Sequence, residues 1–169
     1  ATEVVGNGGF ATAEFRNAAN VTVRSGLGQD TIDLVSIDAA GLGLVTLDGD
    51  SVQNSDIPVA PNYDNADDTI RVRSLPAGVS ALLLGGLGSD TFQLYDSNIL
   101  GVVTVAGEDG NVPNNEDVLY VRDFGDATGD VVTVFDDAIA GLTGYGAGNG
   151  IVFTGIDLLD VTTTAGDDL

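Results

Sequence analysis

The apolar residues of this 169-residue chain fall in short runs that alternate with polar residues, separated by turns rich in glycine and aspartate. In residues 91–94, Phe92 and Leu94 alternate with Thr91 and Gln93, which is typical of a strand with one buried face. Similar runs begin near residues 2, 21, 31, 44, 69, 91, 102, 118, 131, 151 and 158. The pattern predicts an all-β chain, and the wholly apolar residues 81–84 predict a strand that is buried on both faces.

One turn recurs in front of these strands. Its fullest copy is Gly85-Gly86-Leu87-Gly88-Ser89-Asp90-Thr91-Phe92-Gln93, which fits the nonapeptide G-G-x-G-x-D-x-U-x. The glycines allow a tight turn with positive φ, and the aspartate stands where the strand begins. Less complete copies occupy residues 25–34, 66–72, 115–121, 128–134 and 165–169. The last copy stops where its strand should begin, and we therefore expect a segment of a longer repeat array.

The spacing of the turn aspartates predicts the architecture. Asp68 and Asp90 are 22 residues apart, Asp90 and Asp117 are 27 apart, and Asp30 and Asp68 are 38 apart. Residues 51–66 are polar, contain two prolines and predict an inserted loop. Without those 16 residues the longest spacing becomes 38 − 16 = 22.

A short period of two strands and two turns predicts one coil of a right-handed parallel β-helix, or β-solenoid. Residues 1–169 are then a single domain, in which residues 1–20 form an N-terminal cap or a connecting strand. An immunoglobulin-like β-sandwich remains the alternative fold, since it also consists of short strands at such intervals.

Composition adds a strong negative charge. The chain has 22 Asp, four Glu, five Arg and no Lys or His, and its formal charge is −21. Such a chain repels phosphate backbones and anionic membranes, so nucleic-acid binding is not expected. It attracts cations, and calcium is the favoured one because it prefers carboxylate and carbonyl oxygens. The alternative is a salt-adapted acidic surface. No apolar run is long enough to span a bilayer, so membrane insertion is not expected either.

The candidate calcium ligands form three groups of acidic residues. They are the turn residues Asp30, Asp68 and Asp90, the cluster Glu108, Asp109, Glu116 and Asp117, and the closely spaced Asp123, Asp126 and Asp130. Each aspartate has an alternative role, since a side-chain carboxylate that accepts backbone N–H groups holds its own turn without any ion.

The C-terminal half carries a resemblance. The run Asp117-Val118-Leu119-Tyr120-Val121-Arg122-Asp123-Phe124-Gly125-Asp126-Ala127-Thr128-Gly129-Asp130 precedes a glycine-rich linker, the strand Gly150-Ile151-Val152-Phe153-Thr154-Gly155 and the restart Gly166-Asp167-Asp168. This order resembles the repeat units of very large bacterial surface and secreted β-strand-repeat proteins. The resemblance implies an extracellular or cell-surface scaffold supported by calcium, similar in style to the nonapeptide-repeat (RTX) proteins. The copies are not in tandem, so RTX ion sites do not transfer to these residues.

The function expected from the sequence is structural. Without His, Cys or Lys the usual nucleophile–base pairs cannot form, so no enzyme is predicted; a carbohydrate-active β-helix with paired carboxylates is the enzymatic alternative. We expect a unit of a fibre, stalk or layer that associates with itself end to end, with the start of one copy completing the end of another. The other alternative is an adhesin that binds glycan or a surface through residues 51–66 and 141–150.

Overall fold

A computed structural model describes the backbone of residues 2–4 and 13–15 and all atoms of residues 18–38, 40–50, 65–95, 98–107, 115–124, 130–142 and 150–163. All regular structure in these ranges is β, in agreement with the predicted class. Most of the predicted inserted loop, residues 51–64, lies outside the described residues, as does the restart at residues 165–169. None of the described residues belongs to a helix long and apolar enough to cross a membrane.

Fourteen short strands are present in the described part of the chain. They are β1 (Thr2–Val4), β2 (Ala13–Phe15), β3 (Asn20–Arg24), β4 (Thr31–Leu34), β5 (Leu44–Asp48), β6 (Thr69–Val72), β7 (Ser80–Leu84), β8 (Thr91–Tyr95), β9 (Val103–Ala106), β10 (Val118–Asp123), β11 (Thr133–Val134), β12 (Ala138–Ala140), β13 (Ile151–Thr154) and β14 (Leu158–Thr163).

The strands form two large sheets and one hairpin. One sheet has five strands in the order β14-β10-β8-β6-β4, and the other has seven in the order β11-β12-β13-β9-β7-β5-β3. Every pairing inside the five-stranded sheet is parallel, as are the pairings from β3 to β13 in the seven-stranded sheet. Only β1–β2, β11–β12 and β12–β13 are antiparallel among the described strands. This pairing differs from the antiparallel sheets of an immunoglobulin-like sandwich.

The strands are stacked in register, so equivalent apolar residues lie next to one another. In the seven-stranded sheet Val45, Ala81, Val103 and Ile151 occupy one row. In the five-stranded sheet Ile70, Phe92 and Leu119 form another row, and all are at most 1% exposed. Residues from both sheets belong to one hydrophobic cluster. Alternating strand residues therefore point into a shared core, as the pattern predicts.

Burial is complete in the middle of the stack and falls off at its ends. In the five-stranded sheet the inner residues of β8 and β10 are 0% exposed, namely Phe92, Leu94, Leu119 and Val121. The residues at the same register positions in the outermost strands are only partly buried: Ile32, Leu34, Leu159 and Val161. The first and last strands of this sheet thus leave apolar surface incompletely covered.

Two details of the sequence prediction are wrong. Strand β7 is not buried on both faces, because Leu82 and Leu84 are partly exposed whereas Ala81 and Leu83 are buried. The expected strand at residues 131–135 is reduced to two exposed residues, Thr133 and Val134, which pair antiparallel with β12.

Truncation of a central core residue tests the two-sheet interior. Leu83 is 0% exposed, so Leu83→Ala should lower the free energy of unfolding by about 2–5 kcal/mol through lost burial and a residual cavity. The matched control is Leu82→Ala in the same strand, which is partly exposed and should cost less than about 1 kcal/mol. Equal losses for the two variants in urea denaturation would contradict the assignment of faces.

Candidate functional site: a column of aspartates

The turn aspartates stand directly above one another at the entrance to the five-stranded sheet. Asp30, Asp68, Asp90 and Asp117 each precede a strand of that sheet, and parallel pairing in register brings the four to the same edge. Asp68, Asp90 and Asp117 are almost completely buried, at 3%, 1% and 0% exposure. We call Asp30, Asp68, Asp90 and Asp117, together with Asp157 before β14, the aspartate column.

Hydrogen bonds link each member of the column to the next. The backbone N–H of Asp30 donates to Oδ1 of Asp68 at 2.7 Å, and the N–H of Asp68 donates to Oδ1 of Asp90 at 2.7 Å. In the same way, the N–H of Asp90 donates to Oδ1 of Asp117 at 2.7 Å, and the N–H of Asp117 donates to Oδ2 of Asp157 at 2.9 Å. Each carboxylate therefore satisfies a backbone donor of the neighbouring turn, which the strand ladder does not reach.

A column of glycines provides the space for these carboxylates. Gly49, Gly85 and Gly107 follow strands of the seven-stranded sheet, and their N–H groups donate to the carbonyls of Leu84, Ala106 and Thr154. A Cβ atom on Gly49 would lie 2.5 Å from Oδ2 of Asp68. Side chains at Gly85 and Gly107 would overlap the carboxylates of Asp90 and Asp117 in the same way. The paired glycine and aspartate columns explain why both residue types recur in the turns.

The column concentrates negative charge in a place with little solvent. Oδ2 of Asp30 and Oδ2 of Asp68 are buried and accept no hydrogen bond. Burial raises the pKa of Asp68 to about 7, and the negative charges of Asp90, Asp30 and Asp50 raise it further, against the lowering effect of the hydrogen bond from Asp30. A proton or a cation is needed to offset such charge, because buried unpaired carboxylates are costly.

Two further carboxylates, those of Asp48 and Asp50, accept backbone N–H groups in the turn after β5 and in the nonapeptide turn. Oδ1 of Asp48 accepts the N–H of Asp50 at 3.4 Å, and Oδ2 of Asp50 accepts the N–H of Leu87 at 3.0 Å. Asp50 is 1% exposed, and its side chain lies against Gly86, which has a φ of 99°. Asp50 thus connects its own turn to the nonapeptide turn of the next repeat.

The arginines described in the structure lie on the outside of the sheets. Arg24 pairs with Asp48 at 3.3 Å, and Arg73 and Arg122 pair with Asp33 and Asp160 at 2.8 Å each. The Arg73–Asp33 pair is largely solvated and contributes little to stability. In the other two pairs the side chains of Asp48 and Arg122 are only 11% and 17% exposed. These pairs offset surface charge and do not neutralise the aspartate column.

Of the ten predicted ligands, the structure brings together four, places three others outside the column and does not describe the remaining three. Asp30, Asp68, Asp90 and Asp117 share the column. Glu116 is exposed and donates its N–H to Oγ of Ser89. Asp123 and Asp130 are buried, and neither is a partner in the four hydrogen bonds that join Asp30, Asp68, Asp90, Asp117 and Asp157. Glu108, Asp109 and Asp126 lie outside the described residues.

Three structural aspartates were missed by the sequence analysis. The copy at residues 128–134 was expected to supply the next turn aspartate, but Asp157 does so. The turn between β13 and β14 has only three residues, 155–157, whereas the turn between β7 and β8 has six, 85–90, so the nonapeptide spacing does not reveal Asp157. Asp48 and Asp50 were not among the predicted ligands. Their signal was the Asp-Gly-Asp sequence around Gly49.

The column's geometry favours backbone hydrogen bonding over a ready-made ion cage. Calcium takes six to eight oxygen ligands, whereas no three acidic residues converge on one point within the described ranges. One oxygen of each column carboxylate from Asp68 to Asp157 is already occupied by an N–H group. Calcium binding by this chain stays a prediction, and the column is not assigned as its ligand set.

No protein-family model matches this chain, and neither a curated protein nor a solved structure is significantly similar to it.

Replacing a column glycine tests the contact between glycine and aspartate. Gly85→Ala would place its Cβ on the buried Asp90 carboxylate, and we expect a loss of roughly 2–4 kcal/mol in the free energy of unfolding. Gly43→Ala is the matched control, because its Cβ would meet only the carbonyl of Ala19, at 3.6 Å. Denaturant unfolding that finds both variants equally stable would refute the packing described here.

The raised pKa of Asp68 predicts an unusual dependence of stability on pH. The folded chain keeps this proton up to pH about 7, whereas an aspartate of the unfolded chain releases it near 3.8. Folding therefore takes up a proton between these values, and the contribution of Asp68 to stability is fully present below about pH 3.8 and is lost as the pH rises to about 7.

Asp68→Asn isolates this contribution, since the amide retains an oxygen acceptor for the Asp30 N–H and carries no charge. In calcium-free buffer, the stability of the variant relative to the original chain should improve as the pH rises from about 4 to about 7. Urea denaturation at several pH values measures this difference. A difference that does not change with pH would show that Asp68 titrates normally.

Proposed function

We propose that this chain is a structural unit of an extracellular or cell-surface fibre, stalk or layer. Its fold is a right-handed parallel β-helix, it associates with further copies end to end, and calcium stabilises it. The observation that carries this proposal is the pair of parallel ladders stacked in register, of which the five-stranded one ends on strands whose inner residues are only partly buried.

The β-helix is supported by the order in which the chain visits the two sheets. Strands β3 to β10 alternate strictly between the seven-stranded and five-stranded sheets, and β13 and β14 do so again. From β3 to β8 each strand pairs in parallel with the one two places later along the chain, as β4 does with β6. After β11 and β12 have intervened, β9 and β10 pair in parallel with β13 and β14. A chain that winds through two sheets in this way forms coils, and parallel crossovers are almost always right-handed.

End-to-end association is supported by the open edges of the five-stranded sheet. Among the described strands β4 pairs only with β6, and β14 pairs only with β10. Both outer strands present one row of backbone donors and acceptors to a further strand. Ile32, Leu34, Leu159 and Val161 are partly exposed at the same two ends, so another copy would bury apolar surface as well as backbone groups.

Calcium is supported by charge. Copies with a formal charge of −21 repel each other unless cations gather between them. Within each copy, the aspartate column gains stability from anything that lowers the local negative potential. The extracellular setting is supported by the resemblance to large surface-repeat proteins. A scaffold that calcium stabilises also requires surroundings that supply calcium.

Thermal unfolding combined with sedimentation tests this proposal. With calcium in about hundredfold excess over its dissociation constant, we expect stabilisation of about 2.7 kcal/mol and a rise in melting temperature of roughly 5–10 °C. Long particles should appear in sedimentation and electron microscopy. The controls are magnesium, chelator and sodium chloride at matched ionic strength.

Two outcomes would contradict the proposal in different ways. Equal melting temperatures in calcium and in chelator would remove calcium from it. A chain that sediments as a monomer at all concentrations and with every cation would remove end-to-end association.

A further inference from the structure

The two sheets contain different numbers of strands, and the difference lies at one end. β13 and β14 follow each other along the chain, with β13 in the seven-stranded sheet and β14 in the five-stranded sheet. Each pairs in parallel with a strand of the preceding repeat. Beyond β13 the seven-stranded sheet continues with β12 and β11. Beyond β14 the described part of the five-stranded sheet has no strand. One layer therefore extends past the other by two strands.

The surface around this step is apolar and exposed. Val131, Val134 and Phe135, in and beside β11, are 65%, 54% and 54% exposed. Leu159 and Val161 of β14 are partly exposed, although Leu119 and Val121 at the same register positions in β10 are fully buried. Further strands added to β14 would cover these two residues and face β12 and β11.

The chain has one element of matching size. β1 and β2 form an antiparallel hairpin, in which Glu3 pairs with Glu14, and within the described residues neither strand joins a larger sheet. An isolated two-stranded hairpin is at best marginally stable, and it becomes stable when it joins a larger sheet. Two strands are also the number by which the five-stranded sheet falls short of the other layer.

Resting on the end-to-end association proposed above, we infer that the β1–β2 hairpin of one copy adds to the β14 edge of the preceding copy and lies between that β14 and its own β4. Both layers then contain seven strands per copy. The strand directions also agree: β12 is antiparallel to β13, and β11 is again parallel to it. Because β1 and β2 are antiparallel to each other, the hairpin likewise adds one antiparallel strand to the five-stranded layer.

Direct contact between β14 and the β4 of a second copy fits less well. It would leave β11 and β12 without opposing strands. Continued register would also place Asp160 of one copy beside Asp33 of the next, because both belong to the row that runs through Arg71, Gln93 and Tyr120. Like charges directly opposite each other destabilise a sheet. The inserted hairpin separates them by three strand spacings, about 14 Å.

Thiol crosslinking tests the inference, since the chain has no cysteine of its own. Leu158 is 52% exposed at the start of β14. Two test variants combine Leu158→Cys with Glu3→Cys or with Glu14→Cys in the hairpin. The matched control variant combines Leu158→Cys with Thr31→Cys at the start of β4. The assembled double variants are treated with a short bismaleimide and separated on a denaturing gel. We expect covalent multimers from at least one hairpin pair and monomers from the Thr31 pair.

The axial repeat gives an independent readout. Seven strands per copy predict a repeat of about 34 Å in electron micrographs of the assembly, whereas five predict about 24 Å. Multimers from the Thr31 pair, or assembled particles in which neither hairpin pair crosslinks, would overturn the inference and leave end-to-end association standing. Monomers in sedimentation under every condition would instead overturn the association and the inference with it.

Discussion

Parallel stacking in register is the constraint on which the rest of this structure depends. When each strand lies directly beside its equivalent in the next repeat, every residue type at that position becomes a row through the molecule. Apolar rows form the core without difficulty. The turns are harder to stack, because their N–H groups point along the stack with no strand partner. The aspartate carboxylates provide the missing acceptors, with N–H···O distances of 2.7–2.9 Å.

The same arrangement creates an electrostatic conflict. A carboxylate is a strong acceptor because it is charged, but a row of buried carboxylates repels itself and loses hydration. Asp68 shows the conflict most clearly, with a buried oxygen that accepts no hydrogen bond and a pKa raised to about 7. We therefore expect the stability of the fold to be sensitive to protons and to cations. This sensitivity links the internal structure to the proposed role as a calcium-supported extracellular scaffold.

Much of this could be predicted from the sequence, because a repeating fold repeats its residues. The spacing between Asp30, Asp68, Asp90 and Asp117, corrected for one inserted loop, identifies four members of the column from the sequence alone. Asp157 escaped because its turn is shortened, so that Gly155 and Asp157 are separated by one residue where Gly85 and Asp90 are separated by four. Periodicity finds equivalent residues only while the turns keep their length.

The rest depends on three-dimensional context that local patterns do not contain. Leu82 and Leu84 are as apolar as Leu83, yet they lie on the outer face of the sheet and stay partly exposed. The apolar run at residues 131–135 looks like a strand of the main repeat, but it contributes only to an antiparallel extension. That extension makes the described layers unequal, and the inequality gives the proposed end-to-end association a specific geometry.

The measurement that tests the central claim most directly is a pH titration of the aspartate side-chain carboxyl carbons by NMR, first in chelator and then in calcium. We expect Asp68 to titrate near pH 7 in chelator, and we expect its midpoint to fall when calcium lowers the local negative potential. An Asp68 that titrates near 3.8 under both conditions would contradict this expectation, because its carboxylate would then be neither desolvated nor in conflict with its neighbours.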